Sequence, residues 1–399
     1  MSPVNPLLVL PAIGAALFTS LFFIKASHRK LRDIEYKAID GLRGYLAFFV
    51  FLHHSSLWYF YLHTNVWDEP PSHLFIHFGQ TSVALFFMIT GFLFFRKLIE
   101  SKKKPVDWTY FYIARILRLW PVYLLAMAVS IIIISFLSQW KLAESPFSYA
   151  HEILQWCTFG ITGRPPVNHT FFMDKITAGV TWTLIYEWLF YAMLPVIALI
   201  FFKSRINILI PVLSAGILFL IFYYNLIRPI HFYSFAIGIA SAFIVKKDQV
   251  VSTLSNNVFS IAALVCMVVT VLFFESPYAI LPLTLIGIAF ITIACGNSVF
   301  GLLQLKVSRT IGQISYPLYL LHPLILFISF RLVIGFERAL QLNLYEYWLI
   351  IALIALVSIT ICFMVHFMIE LPLMNAALPT TVAVKNWYNR LIKRKINLK

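Results

Sequence analysis

The chain has 399 residues, 61% of them hydrophobic and 12% charged, with 31 Lys and Arg against 16 Asp and Glu. That apolar share, well above the roughly 45–50% of soluble domains, excludes a soluble enzyme. Apolar stretches about 20 residues long, enough to cross a hydrocarbon core of about 30 Å, exclude a β-barrel, which shows shorter alternating segments. The expected fold is all-α, a polytopic transmembrane helical bundle.

Eleven stretches read as spans: 7–24, 43–62, 79–95, 118–138, 180–202, 206–223, 230–245, 257–274, 279–295, 313–332 and 347–368. The first is followed by "KASHRKLR" rather than a small-residue cleavage site, so it reads as a retained anchor. With the amino terminus outside, 25 of the 31 basic residues fall in inner segments, as the positive-inside bias requires. The carboxyl terminus is then cytoplasmic. The asymmetry accounts for the basic balance without nucleic acid. Cys157, Cys266, Cys295 and Cys362 are scattered, without metal-ligand spacing or a disulfide framework.

The second span opens as "IDGLRGYLAFFVFLHHSS", residues 39–56. Ionisable groups at membrane depth cost roughly 2.5–3.5 kcal/mol on insertion scales and tend to be kept for function. His54 lies eleven residues beyond Arg43, about 16 Å deeper along a helix. Eleven residues is close to three turns, so the two share a face and are expected to point into one cavity. His53 is rotated about 100° away and reads as a packing residue.

The inner segment 96–117 is basic, then aromatic, and is expected to lie along the membrane surface. Arg96, Lys97 and Lys102–Lys104 would form an electrostatic funnel. Arg115 and Arg118, three apart on one helix face, suit phosphate oxygens, which guanidinium forks bind bidentately. Anchoring on lipid headgroups is the alternative. The outer stretch 139–179 reads as an irregular, turn-rich loop.

In "VTWTLIYEWLFYAMLP", Trp182, Glu187 and Tyr191 fall on one stripe towards the outer side, and a carboxylate this deep would serve as an acid, a base or a ligand for sugar hydroxyls. "GQISYPLYLLHPLILF" carries Ser315, Tyr316, Tyr319 and His322, with His322 at a depth similar to His54. Two histidines at one depth would suit proton handling or hydroxyl activation. Glu370, at the inner end of the last span, is expected to pair with Arg43 or an arginine of the 115/118 pair. No Walker A loop, GxSxG elbow or HExxH appears.

Together these segments resemble acyltransferase family 3, integral-membrane enzymes that O-acylate carbohydrates. The resemblance runs from about 38 to 374. Arg43 and His54 match the opening motif; Phe86, Phe87, Gly91 and Phe92 match the next segment; Arg115 and Arg118 fall in an Arg-x-x-Arg motif. Trp182, Thr183, Leu184, Glu187, Phe190 and Tyr191 follow, then Ser315, Tyr316, Tyr319, His322, Glu370 and Pro372. Ala84 stands where an Asp is usual and Thr90 where a Ser is usual. The family core is usually ten spans, so residues 1–37 read as an added anchor and linker. Residues 38–374 would be the acyltransferase domain, and 375–399 a basic cytoplasmic tail.

The resemblance implies a bacterial inner-membrane O-acyltransferase that takes an acyl group, acetyl in the simplest case, from cytoplasmic acetyl-CoA. The acceptor would be a glycan or lipid-linked saccharide. His54 would be general base or transient acyl carrier, its ring held by Arg43 or Glu370. Arg115, Arg118 and Arg96 would bind the coenzyme. Glu187, Trp182, Tyr191, Tyr316 and His322 would bind the acceptor, and no metal is expected. The competing class is a proton-coupled transporter or flippase with His54, Glu187 and His322 as the relay.

Overall fold

The computed structural model describes residues 2–27, 35–101, 105–170, 172–202, 209–223 and 227–397. Among them every regular element is helical, and the one β feature is a bridge between Val167 and Thr170. The all-α bundle read from the sequence is what the chain forms.

Helix α1 (Leu10–Ser27) follows a short 3-10 turn capped by the side chain of Asn5, which accepts the Leu7 N–H at 2.9 Å. Helices α2 (Lys37–Thr64) and α3 (His73–Glu100) each run 28 residues. α2 stops at Asn65, whose φ of 56° is left-handed, a conformation Asn tolerates better than most residues. Helix α4 (Trp108–Leu137) starts at Asp107, whose carboxylate accepts the Tyr110 N–H at 3.1 Å. The described residues of the segment 96–117 are divided between two helices. Arg96 closes α3, while Trp108 to Leu117 form the first turns of α4, with Trp108 and Phe111 buried.

The stretch 139–179 is less irregular than expected. It holds α5 (Pro146–Cys157), begun by a Ser145 cap and a proline at the first helical position, and α6 (Phe172–Ile176). Then come α7 (Trp182–Phe202), α8 (Leu209–Tyr223), α9 (Ile230–Ile244) and α10 (Asp248–Leu254), the last pair bent by 112°. α11 (Asn257–Phe273), α12 (Ile280–Ala294), α13 (Lys306–Gln313), α14 (Ser315–Phe327) and α15 (Phe336–Leu340) follow. α16 (Leu344–Val365), α17 (Leu371–Asn375) and α18 (Ala377–Asn397) end the chain. Wide π-helical turns at Ile328–Val333 and His366–Glu370 follow α14 and α16.

Each of the eleven stretches read as a span is helical here; the sixth is described from Leu209 onward. Among the described residues, six helices are long and apolar enough to cross a bilayer, or seven if the bent pair α9–α10 is one span. α8, α11 and α12 supply shorter apolar segments.

Helix α2 sits at the centre, packed on α3, α13 and α14, while α3 packs on α9 and α1 on α16. The first helix is thus part of the bundle, with Phe23 stacked on Phe363 at 4.4 Å. Close backbone approach makes these crossings. A Cβ at Gly312 of α13 would strike the Asp40 carbonyl of α2, and one at Gly238 of α9 the Met88 carbonyl of α3. Small residues permit such contact in bilayers, where packing rather than hydrophobicity joins helices.

Candidate active site

Two cavities meet inside the bundle. The first, about 110 Å³, is lined by Arg43, Arg115 and Arg118 with Glu187, Tyr191 and Tyr316. The second, about 520 Å³, is lined by His53 and His54 with Asp68, Glu69, Trp182 and Tyr278, among others. Val83 of α3 and Tyr319 of α14 line both. Arg43 and His54 therefore do not share one cavity. They serve adjacent ones, the arginine chamber and the histidine chamber.

His54 and His322, 268 residues apart in sequence, meet at 3.0 Å between His54 Nδ1 and His322 Nε2. His322 is wholly buried and lines neither chamber, so it stands behind His54 rather than among acceptor-binding residues. Its Nδ1 lies 2.8 Å from the Leu318 carbonyl. A carbonyl only accepts, so His322 Nδ1 carries the hydrogen and Nε2 of the neutral ring accepts. His54 Nδ1–H then donates to His322 Nε2 and to the Val50 carbonyl, 3.0 Å away. That tautomer leaves the lone pair on His54 Nε2, and the Ala178 carbonyl also lies within hydrogen-bonding reach of the ring.

His53 Nδ1–H donates to the Phe75 carbonyl at 2.8 Å, and its ring lies against Gly79, where a Cβ would touch it. The neighbouring histidines thus divide their work. His53 ties α2 to α3, and His54, backed by His322, faces the histidine chamber.

The arginine chamber carries an excess of positive charge, three arginines against Glu187 on its wall. Arg43 Nη1 has Asp40 Oδ1 at 3.8 Å, a long ion pair. No carboxylate lies within 4 Å of the Arg115 or Arg118 guanidinium among the described residues. The Arg115 guanidinium sits over the Phe94 ring, 5.0 Å from its centroid. Buried cations need a counter-ion, so the chamber is built to receive an anion. Its guanidinium forks have the geometry to hold phosphate oxygens.

Several expectations are corrected. Arg96 is not at this site; it pairs with Glu35 at 2.7 Å and Glu100 at 3.0 Å on the surface. Glu187 and Tyr191 do not line the histidine chamber. They face the arginines, with Tyr191 Oη donating to Glu187 Oε2 at 3.3 Å, and of their stripe only Trp182 reaches the histidine side. The helix carries residues 182 and 187 past the junction between the two cavities. Tyr316 lines the arginine chamber and spends its hydroxyl on the Leu119 carbonyl at 2.6 Å.

Glu370 holds neither the His54 ring nor an arginine. It accepts from His366 Nδ1 at 2.6 Å, one helical turn away and buried. The "HFMIE" spacing, with histidine and glutamate four residues apart, carries that pair. Lys102–Lys104, Arg29, Lys30, Arg32, Lys203 and Arg205 lie outside the described residues.

The histidine chamber also holds residues the sequence reading did not single out. His231 is buried, its Nδ1 without a partner, with the Tyr278 ring at 4.6 Å and Trp182 at 4.9 Å. Tyr186 accepts the Arg228 N–H at 2.6 Å, which leaves its own O–H to donate. Glu69 accepts from Gln80, whose carbonyl oxygen accepts from Ser276. Aromatic faces beside polar ends suit a hydroxylated, ring-shaped molecule.

Neither a curated protein nor a solved structure matches the chain. The model of the acyltransferase family 3, described as "Acyltransferase domain", matches residues 36–367. That match takes in both chambers, the histidine pair and all three chamber arginines, and it makes this membrane protein a member of acyltransferase family 3.

Proposed function

We propose that the protein moves an acyl group, acetyl in the first instance, from cytoplasmic acyl-CoA to a hydroxyl of a cell-surface glycan or glycolipid. The observation that carries this reading is the buried His54–His322 contact, which sets His54 on the wall of an aromatic, acid-bearing chamber beside its junction with an arginine chamber. Arg43, Arg115 and Arg118 bind the phosphate end of the donor. Trp182, Tyr186 and Tyr278 face the acceptor, with Glu69 taking its hydroxyls.

His54 Nε2 removes the proton of the acceptor hydroxyl as the oxygen attacks the thioester carbonyl carbon. The C–S bond breaks, the coenzyme leaves as thiolate, and that sulfur takes the proton from His54. While His54 is positive, its Nδ1–H points at His322 Nε2 and the Val50 carbonyl, which favour the charge. Residues 38–374 make the catalytic unit, residues 1–37 a leading anchor and 375–399 a cytoplasmic tail of a bacterial inner-membrane protein. A relay through His54, Glu187 and His322 draws no support, because Glu187 lies in the other chamber, against the arginines.

The test is reconstitution in proteoliposomes with labelled acetyl-CoA and a membrane extract of lipid-linked saccharides. Label should appear in an alkali-labile ester on a glycan and vanish with His54→Ala. Equal labelling by a folded His54→Ala protein would remove His54 from the mechanism. Label found only in protein or free acetate would remove the glycan acceptor.

A further inference from the structure

The histidine chamber is far larger than the ~30 Å³ share of one water molecule, and its polar lining holds water well. A thioester reaching His54 from the arginine side therefore meets water before it meets an acceptor. Transfer rather than hydrolysis requires that water be kept from the donor. Among the described residues only two line both cavities, Val83 and Tyr319, each with its side chain almost wholly buried.

Tyr319 is held across the junction from both sides. Its hydroxyl donates to the carbonyl of Val180, in the turn before α7, at 3.0 Å and lies 3.0 Å from Thr183 Oγ1 in the first turn of that helix. The Phe86 ring meets it edge-on at 6.0 Å and the His322 ring at 6.5 Å. A phenol fixed by two partners on another helix is a poor choice for mere filling, since leucine would pack there without needing a bond. It is a good choice for a partition, because the bonds hold the ring in one place.

We propose that Tyr319, closed against Val83, is a partition between donor and acceptor chambers, and that it decides whether the acyl group goes to an acceptor or to water. The proposal rests on the acyl-transfer reading for its chemistry, but the partition itself can be tested without it. In the leak reaction a water oxygen attacks the thioester carbon, the C–S bond breaks, and the products are the carboxylic acid and the free thiol of the coenzyme.

The first measurement is geometric. In a cysteine-free background, with Cys157, Cys266, Cys295 and Cys362 replaced, Thr90→Cys places a thiol on the arginine-chamber wall. A small anionic methanethiosulfonate reagent, suited to that positive chamber, is added to right-side-out and inverted vesicles. With Tyr319 present, position 90 should label from one side only. With Tyr319→Ala, or Val83→Ala should that variant fold better, it should label from both sides. Tyr319→Phe keeps the ring and should stay closed or leak slightly.

The second measurement is coenzyme A release from acetyl-CoA without any acceptor, expected to rise at least tenfold in the alanine variants while transfer falls. Labelling from both sides with no acetyl-CoA turnover in any variant would keep the partition and remove the acyl-transfer reading. Unchanged one-sided labelling in folded alanine variants would overturn the partition, as would two-sided labelling of the parent.

Discussion

Two acceptors, the Val50 carbonyl and His322 Nε2, converge on one nitrogen of His54. That convergence decides which nitrogen is left to act. General acid–base groups typically contribute about 10²–10⁴-fold. His54→Ala should fall in that range, and His322→Ala towards its lower end. His322 lines neither chamber, so its loss should lower kcat while leaving the KM for acyl-CoA in place; a change in KM alone would refute its positioning role. His53→Ala should show the opposite pattern. It strands the Phe75 carbonyl, at a cost of about 1–3 kcal/mol of stability, and leaves the rate within tenfold, read by thermal unfolding beside turnover. The sequence made the separation of His53 from His54 legible, because it depends only on helical periodicity. It hid the partner of His54, because a contact across 268 residues leaves no local trace. It also hid the division between chambers, since Glu187 and Trp182 share a stripe yet sit on opposite sides of Tyr319.

At the scale of single helices, Asp107 joins two elements. It caps α4 through the Tyr110 N–H and holds Lys385 of α18 at 2.6 Å. Partial burial pushes its carboxyl up, but the bonds from Lys385 and Tyr110 outweigh this and leave it below the usual aspartate range. A depressed pKa contributes stability above the unfolded value of about 3.9 that is lost as pH falls through the folded one. Docking of α18 should therefore loosen only in acid. Asp107→Asn keeps a capping side chain and removes the charge, so amides of α18 should exchange faster while α4 holds. Asp107→Ala should also fray α4, by about 1 kcal/mol. Unchanged exchange in α18 with Asp107→Asn would mean the helix docks without this pair. The cap was legible as an Asp before an aromatic run, but the basic run ahead of it drew the reading towards a surface loop. The Ser-Pro start of α5 was equally present in the sequence and was outweighed by the turn-rich residues after it.

Across the whole molecule, the apolar stretches were legible because each obeys a bilayer dimension that needs no partner. The sites were half legible. Motif residues named the participants, but only packing assigned Arg96 to the surface, Glu370 to His366 and Tyr319 to the junction. One further property follows from the arginine chamber. Three cations share the chamber with Glu187 and the longer-range Asp40, so positive charge remains in excess and a bound polyanion would relieve it. The donor then acts as a folding ligand. At a hundred times its Kd a ligand adds about 2.7 kcal/mol of stability, and acetyl-CoA should raise the unfolding temperature accordingly. Free coenzyme A carries the same phosphates and should raise it almost as much, whereas Arg115→Gln with Arg118→Gln should abolish both shifts. An unchanged shift in the double variant would place the phosphates elsewhere. On the proposed reading product and donor satisfy the same cations and compete for them, so turnover in the cell would track the ratio of acylated to free coenzyme rather than the amount of donor.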